Sequence, residues 1–359
     1  MRVLVWQWGR RGSGPRIAAE LASGLGQLPG TIALLSLAEQ AEILGVAEAP
    51  ANDLPMATYG GAAGLFGRLL LAPLVIVTLV RHLRRLRPEV AICAMPGPID
   101  LLMAAALAWA GVPFLVIVHD ADSHPGENAP LLMWLQRQLI GRAAGLVALS
   151  THVADRLREK GLVAGKPVIV LRHPPMAFGT LPPPPFDHQG VPRLLLFGRL
   201  LAYKGLDLLG ETLTLMDPKS LDVRVVGSGP DSKALAALSA LSFVTVENRW
   251  IAEAEIGDII GWADVLVLPY REASQSGAAA VALAAGRWVI ATRVGGLAEQ
   301  LAGESLAIMA DPDAPSLAAA IRSLCDTRPS LAAPALRTEW KDFARTLVAR
   351  IETDLPMRR

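Results

Sequence analysis

The chain has 359 residues, which suits two domains of the usual ~100–200 residues each rather than one core. Its content is 52% hydrophobic with a mean hydropathy of +0.39, high for a soluble protein, which points to sheets buried on both faces or to membrane contact. The net charge is +1, with 16 Lys+Arg against 12 Asp+Glu in residues 1–180 and 18 against 21 in residues 181–359. This offset is too small to suggest a nucleic-acid partner.

The N-terminus, Met1-Arg2-Val3-Leu4-Val5-Trp6, reads as a first strand without the apolar core and cleavage site of a signal peptide, so secretion is not expected. It feeds the glycine-rich turn Trp8-Gly9-Arg10-Arg11-Gly12-Ser13-Gly14-Pro15, which lacks both G-x-G-x-x-G and the P-loop lysine pattern. Trp6 and Trp8 either alternate into the core or stack on a sugar. Further strand-length apolar runs follow at Thr31 to Leu35, Val90 to Ala94, Phe114 to Val118, Gly145 to Leu149 and Val168 to Leu171. Longer helical patterns separate them, the signature of a parallel sheet covered by helices.

Two apolar stretches test for membrane spans. Leu69 to Val80 lies between Arg68 and Arg81 and is shorter than the ~18–20 residues a span needs. Leu101 to Val118 is broken into helix and strand by Gly111-Val112-Pro113, so no transmembrane helix is expected. The region 64–87 ends in Arg81-His82-Leu83-Arg84-Arg85-Leu86-Arg87. It suits either a helix at an anionic bilayer interface, making a peripheral contact, or an inter-domain or core helix with a solvated basic end.

Directly after the fourth apolar run comes Val118-His119-Asp120-Ala121-Asp122-Ser123-His124, at the carboxyl edge where open α/β sheets bind ligands. His119, Asp120 and Asp122 are a candidate acid–base cluster, the alternative being a structural His-Asp pair. Cys93 and Cys325 are the only cysteines and lie far apart, which excludes a disulfide framework or metal-ligand spacing and fits a reducing cytoplasm. His173 reads as structural.

The proline-rich stretch 175–186 reads as an extended linker between a domain at 1–174 and a second at 187–333. Strand patterns restart at Arg193 to Phe197, Asp222 to Val226, Phe243 to Val246, Val265 to Pro269 and Trp288 to Ala291. The first of these runs into Phe197-Gly198-Arg199-Leu200-Leu201-Ala202-Tyr203-Lys204-Gly205. A strand ending in a glycine turn exposes backbone N–H groups, and two cations beside it, Arg199 and Lys204, complete a pocket for a diphosphate. Val225-Val226-Gly227-Ser228-Gly229-Pro230 supplies a second glycine turn. In Ser274-Gln275-Ser276-Gly277 a small polar turn opens a helix of alanines whose free N–H groups can hold a phosphate. Gly295-Gly296-Leu297-Ala298-Glu299 follows, and residues 334–359 read as a terminal helix with no strand after it.

The G-R-(x)4-K-G segment at Gly198 to Gly205 and the alanine helix ending at Gly286, followed by G-G-x-x-E, resemble the GT-B glycosyltransferases of group 1, the family 4 or GT4-like enzymes. The resemblance implies two Rossmann-like, doubly wound parallel-sheet domains facing a central cleft, with the terminal helix crossing back to the first. It gives Arg199 and Lys204 the donor diphosphate, and places Gly198, Gly227, Ser274, Gln275, Ser276 and Gly277 around the donor. His119 matches the histidine that many members set beside the transferred sugar. The turn carrying Arg10, Arg11, Gly12, Ser13 and Gly14 then faces the acceptor, with Arg10 or Arg11 on an acceptor phosphate.

The family's glutamate pair, eight positions apart, falls on Ala273 and Val281. Glu272, one residue away, is the candidate sugar contact, and no residue takes the place of the second. Trp288 replaces the usual proline. The resemblance implies a retaining reaction, while in an inverting one His119, Asp120 or Asp122 takes the acceptor proton.

The expected activity is transfer of a sugar from a nucleotide-diphosphate sugar, a co-substrate, to an acceptor hydroxyl, with no metal and no cofactor. The apolar, locally basic first domain points to a lipid-linked acceptor in exopolysaccharide or envelope glycan synthesis at the inner face of the cytoplasmic membrane. Two alternatives share the architecture: a non-catalytic subunit binding nucleotide sugar or lipid phosphate, and a sugar-nucleotide epimerase.

Overall fold

The computed structural model describes residues 1–46, 49–123, 130–329 and 339–355. These residues form two compact units. The first comprises 1–123, 130–172 and 339–355, and the second 173–329.

The first unit runs β1 (Arg2–Gln7), α1 (Ser13–Gly26), β2 (Ile32–Leu37), α2 (Gly61–Leu70), α3 (Ala72–Leu86), β3 (Val90–Cys93), α4 (Asp100–Ala110), β4 (Phe114–Val118), α5 (Pro130–Arg142), β5 (Gly145–Ala148), α6 (Thr151–Glu159) and β6 (Val168–Val170). Its sheet is parallel throughout, in the order β2-β1-β3-β4-β5-β6. Every residue of β3, β4 and β5 is buried, because helices cover both faces. This is why these strands read as unbroken apolar runs rather than alternating ones.

The second unit runs β7 (Arg193–Arg199), α7 (Leu206–Thr214), β8 (Asp222–Ser228), α8 (Lys233–Ser239), β9 (Val244–Asn248), α9 (Glu253–Trp262), β10 (Val265–Leu268), α10 (Gly277–Ala284), β11 (Trp288–Thr292), α11 (Gly295–Leu301), β12 (Ala307–Ala310) and α12 (Ala314–Thr327). Its parallel sheet has the order β12-β11-β10-β7-β8-β9. The last helix, α13 (Glu339–Asp354), packs against α1 of the first unit and buries Phe343, Ala344, Leu347 and Ile351. Two six-stranded parallel sheets with flanking helices are the pair of Rossmann-like domains of the GT-B class.

Three features differ from the sequence reading. The edge strand β12 was not expected. The stretch 64–87 is two helices, bent by 68° where Leu71 joins α2 to α3, with Pro73 at the second position of α3. α3 buries Leu79, Val80 and Leu83 against the core, each contributing about 1.5–3 kcal/mol. Among the described residues no single helix is long and apolar enough to cross a membrane.

The third feature, which the sequence reading of an extended linker did not include, is that 175–186 is fitted as a strap against the second unit. Met176 N–H donates to Ala280 O, Arg287 donates to Pro183 O at 2.6 Å, and Phe186 N–H donates to Asp264 Oδ1. Asp264, at the start of β10, also accepts from Arg193 N–H at 2.8 Å, so one buried carboxylate ties the strap to the first strand of the sheet.

Candidate functional site

In the second unit the strand order reverses between β7 and β10, which makes their carboxyl ends the topological switch point where open α/β sheets bind ligands. Gly198 and Arg199 end β7, and a single 3₁₀ turn, Ala202–Lys204, leads to Gly205, which caps α7 at φ +68°. A Cβ on Gly205 would overlap the Pro269 carbonyl oxygen, so glycine is what lets this turn close onto the end of β10.

The close approach brings Tyr203 and Tyr270, both buried, into edge-on contact with ring centroids 6.4 Å apart. The two cations rest on these rings. Lys204 Nζ lies 3.9 Å from the centroid of Tyr270 and 4.9 Å from that of Tyr203. Arg199 is exposed and donates from its guanidinium to Tyr203 Oη at 2.9 Å.

Tyr270 continues the chain of contacts, its Oη lying 3.1 Å from Ser276 Oγ. Burial pushes the Tyr270 phenol up to about 12, against the Ser276 hydrogen bond and the charge of Arg199, so it stays protonated. Ser276 is the N-cap of α10, its Oγ accepting from Ala279 N–H at 3.2 Å. Its backbone is clamped on both sides by buried Gln300 of α11: Ser276 N–H donates to Oε1 at 2.7 Å, and Nε2 donates to Ser276 O at 3.0 Å. The first-turn N–H groups of Gly277 and Ala278 have no intrahelical acceptor, and no acid lies in that turn.

A helix start and two ring-seated cations at one switch point have the chemistry to hold a dianionic group. The sequence motifs carry Arg199, Lys204 and Ser276. Tyr203, Tyr270 and Gln300, which hold them, were missed.

Gly227 lies at φ +152° where β8 passes β7, and a Cβ there would overlap Gly198 O. Asn248, at the end of β9, ties the same loop through Gly229, accepting its N–H at 3.0 Å and donating to its oxygen at 3.1 Å. Glu272 is exposed on the loop before α10, while Ala273 and Val281, where the glutamate pair would fall, are both buried. Ser274 and Gln275 are half-buried in that loop.

In the first unit the order reverses between β1 and β3. After β1, Gln7 folds back so that its Oε1 accepts Gly9 N–H at 2.8 Å, and Gly12, at φ +84°, caps α1 with no side-chain hydrogen bond. α1 has no acid in its first turn, where Ser13 and Gly14 lie. Exposed Arg10 and Arg11 flank it, Arg11 pairing with Glu42 at 2.9 Å. This is a helix start without a side-chain cap or an acid of its own, flanked by two arginines.

Trp6 and Trp8 are not on this surface. Both are buried, Trp6 donating to Asp100 Oδ1 at 3.3 Å and Trp8 to Ser36 Oγ at 3.0 Å, which settles them in the core rather than on a sugar.

His119 follows β4 and is buried, with Nε2 2.8 Å from Ala94 O. A carbonyl only accepts, so Nε2 carries the proton and Nδ1 is the acceptor of the ring. Burial pushes its pKa down, against the Ala94 bond and the charge of Asp120, so the ring is neutral at pH 7.

Asp122 points to other work. Arg156 donates to Oδ2 at 3.0 Å and Lys160 pairs with Oδ1. Burial alone would raise this carboxyl, but Lys160 and Arg156 outweigh it and hold the group below the usual range. A carboxylate neutralised by two cations is a poor base, so Asp122 leaves the list of proton acceptors. The backbone oxygen of Asp120 accepts from Gln136 Nε2 at 2.7 Å, and His124 lies outside the described residues.

Asp100 was not anticipated. It opens α4, fully buried at the β1/β3 switch point, and accepts from Trp6, from Cys93 Sγ at 3.6 Å and from Gly97 N–H at 2.6 Å. Burial raises its pKa to about 7 despite those three bonds. An acid whose folded pKa exceeds its unfolded value of about 4 holds its proton more tightly when folded, so its contribution is complete below pH ~4 and is lost as pH rises towards 7. Denaturant titrations between pH 4 and 7 should therefore show a shallower fall of stability in Asp100→Asn than in the wild type. An unchanged slope would assign the dependence to other groups.

The family model described as glycosyl transferases group 1 matches residues 191–327, and the one described as glycosyl transferase 4-like domain matches residues 12–173. No curated protein matches the chain in sequence. Among solved structures, the chain is similar to HepE of Anabaena, solved in complex with UDP and glucose, with a TM-score of 0.67 at 15% identity over 97% of this chain and 94% of that one. Sucrose-phosphate synthase from Thermosynechococcus elongatus gives 0.62 at 16% identity over 99% and 94%. A putative UDP-N-acetylglucosamine 2-epimerase from Listeria monocytogenes gives 0.64 at 9% identity over 98% and 96%. At these identities the structures speak for the fold, while the two family models, matched one to each unit, speak for the activity. The chain belongs to the group 1, GT4-like glycosyltransferases and is a GT-B enzyme of that family.

Proposed function

We propose that this glycosyltransferase takes a sugar from a nucleoside-diphosphate donor held on the second unit and passes it, with retention and without a metal, to a hydroxyl of a lipid-linked saccharide held on the first. The observation that carries the donor half is the seating of Arg199 and Lys204 on Tyr203 and Tyr270 beside the start of α10. HepE, of the same fold, is solved with UDP and with UDP-glucose, which supports a nucleotide-sugar donor here.

When the bond between the anomeric carbon and the β-phosphate oxygen breaks, negative charge grows on the leaving phosphate. Cations already held in place stabilise it without reorganisation. In a same-face reaction the departing phosphate oxygen takes the acceptor hydroxyl's proton as the new bond forms, so no side-chain base is needed. The engagement of Asp122 by two cations fits that economy. Neutral His119, after β4, is the candidate contact to the transferred sugar that the family resemblance implies, and Glu272 is the nearest acid in sequence to the missing pair. In the first unit, the uncapped start of α1 with Arg10 and Arg11 suits an acceptor phosphate.

Among the described residues no group of three His, Cys, Asp or Glu could hold a metal ion, and the fixed cations take over the charge that magnesium would neutralise. The apolar and basic residues of 64–87 support a lipid-linked acceptor and a peripheral place at the inner face of the cytoplasmic membrane, in exopolysaccharide or envelope glycan assembly.

The test is a panel of UDP-, GDP- and ADP-sugars, read by thermal shift and then by turnover with a lipid extract, with and without EDTA. One base class should raise the melting temperature, since a ligand that binds the native state stabilises it. Turnover should survive EDTA. Binding without transfer would favour a non-catalytic subunit, inversion at C2 of the free donor would favour an epimerase, and activity restored only by magnesium or manganese would overturn metal independence.

A further inference from the structure

α3, α4 and α5 form one layer on the first sheet, α3 packing on α4 and α4 on α5. Each leads from the carboxyl edge of the parallel sheet back to its amino edge, so the three run side by side with their starts at the same edge. At that edge the chain leaves large apolar side chains in the open: Phe66, Leu70, Leu71 and Leu74 at the corner of α2 and α3, and Leu131 and Trp134 in the first turns of α5. The core-facing sides of the two helices are already satisfied, by Leu79, Val80 and Leu83 on α3 and by Leu139 and Ile140 on α5. An apolar edge of this kind marks an interaction surface.

Further along the same helices the exposed residues turn basic. On α3 they are Arg81, Arg84 and Arg85, and on α5 Arg137 and Arg142. Leu74 to Arg81 spans roughly 10 Å of helix and Trp134 to Arg137 roughly 5 Å, at 1.5 Å per residue. Apolar side chains of interfacial helices reach about 5–10 Å below the headgroups, the same offset. α2, α3 and α5 contain no Asp or Glu, and the single acid of α4 is the buried Asp100. Two helices thus repeat one order, apolar start and then cations, and neither carries an acid. That complements an anionic leaflet better than a protein surface.

We propose that the first unit docks edge-on into an anionic bilayer, with the α2–α3 corner and the first turns of α5 inserted and the arginines of α3 and α5 on lipid phosphates. The inference rests on the membrane reading above and adds to it a second anchoring helix and an orientation. The β1/β3 switch point, with Arg10 and Arg11, opens on the same carboxyl edge, so this docking turns the acceptor site toward the lipid.

Trp109, exposed near the end of α4, lies at the opposite edge of the layer and is the internal control. Vesicles of phosphatidylglycerol and phosphatidylcholine carrying acyl-chain bromines should quench the protein's fluorescence at low salt. Trp134→Phe should lose most of that quenching and Trp109→Phe should keep it. Leu74→Ser combined with Leu131→Ser should weaken vesicle partitioning at least tenfold while leaving the donor-induced thermal shift intact, which also shows that the variant is folded. Quenching carried by Trp109, equal binding to pure phosphatidylcholine, or wild-type partitioning of the double variant overturns the proposal. So does a dimer that the double variant abolishes, which would give the edge to a second copy. A normal donor shift alongside failed vesicle binding leaves the transferase reading standing and removes this one alone.

Discussion

Alanine at Arg199 or at Lys204 is expected to lower turnover of a nucleotide sugar by a factor of about 10²–10³, the usual loss on deleting one preorganised donor to a developing negative charge. Neither side chain builds the core. Arg199 is exposed and Lys204 only half-buried, so the melting temperature of the free enzyme should stay near that of the wild type. Their contribution comes from placement. Tyr203 Oη fixes the Arg199 guanidinium, and the rings of Tyr203 and Tyr270 seat the Lys204 ammonium, so both cations are positioned before the donor arrives. Tyr203→Phe keeps the ring under Lys204 but removes the anchor of Arg199, and should give a smaller loss than Arg199→Ala. Steady-state kinetics on the three variants checks the set, and near-normal turnover in both alanine variants would remove the diphosphate clamp from the mechanism.

Both sheets were legible in the sequence because their central strands, β3, β4, β5 and β10 above all, are buried on two faces and read as apolar blocks. The strand that escaped notice, β12, is a half-buried edge strand whose apolar run, Ala307 to Ala310, is only four residues long. The residues of 64–87 were legible as apolar and basic, but the 68° bend between α2 and α3 was not, since Pro73 fits the second position of a helix as well as it fits a break. The extended form of 175–186 was legible from its prolines, but what that chain lies on was not. Here its partners, Asp264 and Arg287, are about 80 to 100 residues downstream.

The candidate donor site divides in the same way. Its cations and glycines fall in contiguous motifs, whereas the residues that hold them act across the fold. Tyr270 arrives from the end of β10 and Gln300 from α11, and neither carries a local sign of its role. Asp100 is a sharper case, since an acid opening a helix reads as ordinary favourable dipole chemistry. Its burial follows from Trp6, 94 residues earlier in the chain, and only the folded sheet brings the two together. Asp122 errs in the other direction, a carboxylate that looks catalytic by position until Arg156 and Lys160 close on it.

Gly227→Ala is the substitution expected to damage the fold and the site together. The residue sits at φ +152°, a region L side chains rarely adopt, and its missing Cβ is the space that Gly198 O occupies. β7 and β8 pair in register from Arg193 with Asp222 to Arg199 with Ser228, so neither strand can move aside alone. A methyl group must either part the two strands at their carboxyl ends or twist the backbone of residue 227. Strain and overpacking of this kind each cost about 1–3 kcal/mol, so a loss of roughly 3 kcal/mol or more in denaturant unfolding is expected. Because the displaced carbonyl belongs to Gly198, next to Arg199, donor affinity should fall as well, even in the fraction that remains folded. Gly26→Ala is the control: it lies in α1, where an added Cβ would meet only Ala33 Cβ at 4.0 Å, and it should change neither reading. Wild-type stability in Gly227→Ala would mean that β7 and β8 are not held as closely at this point as the site requires.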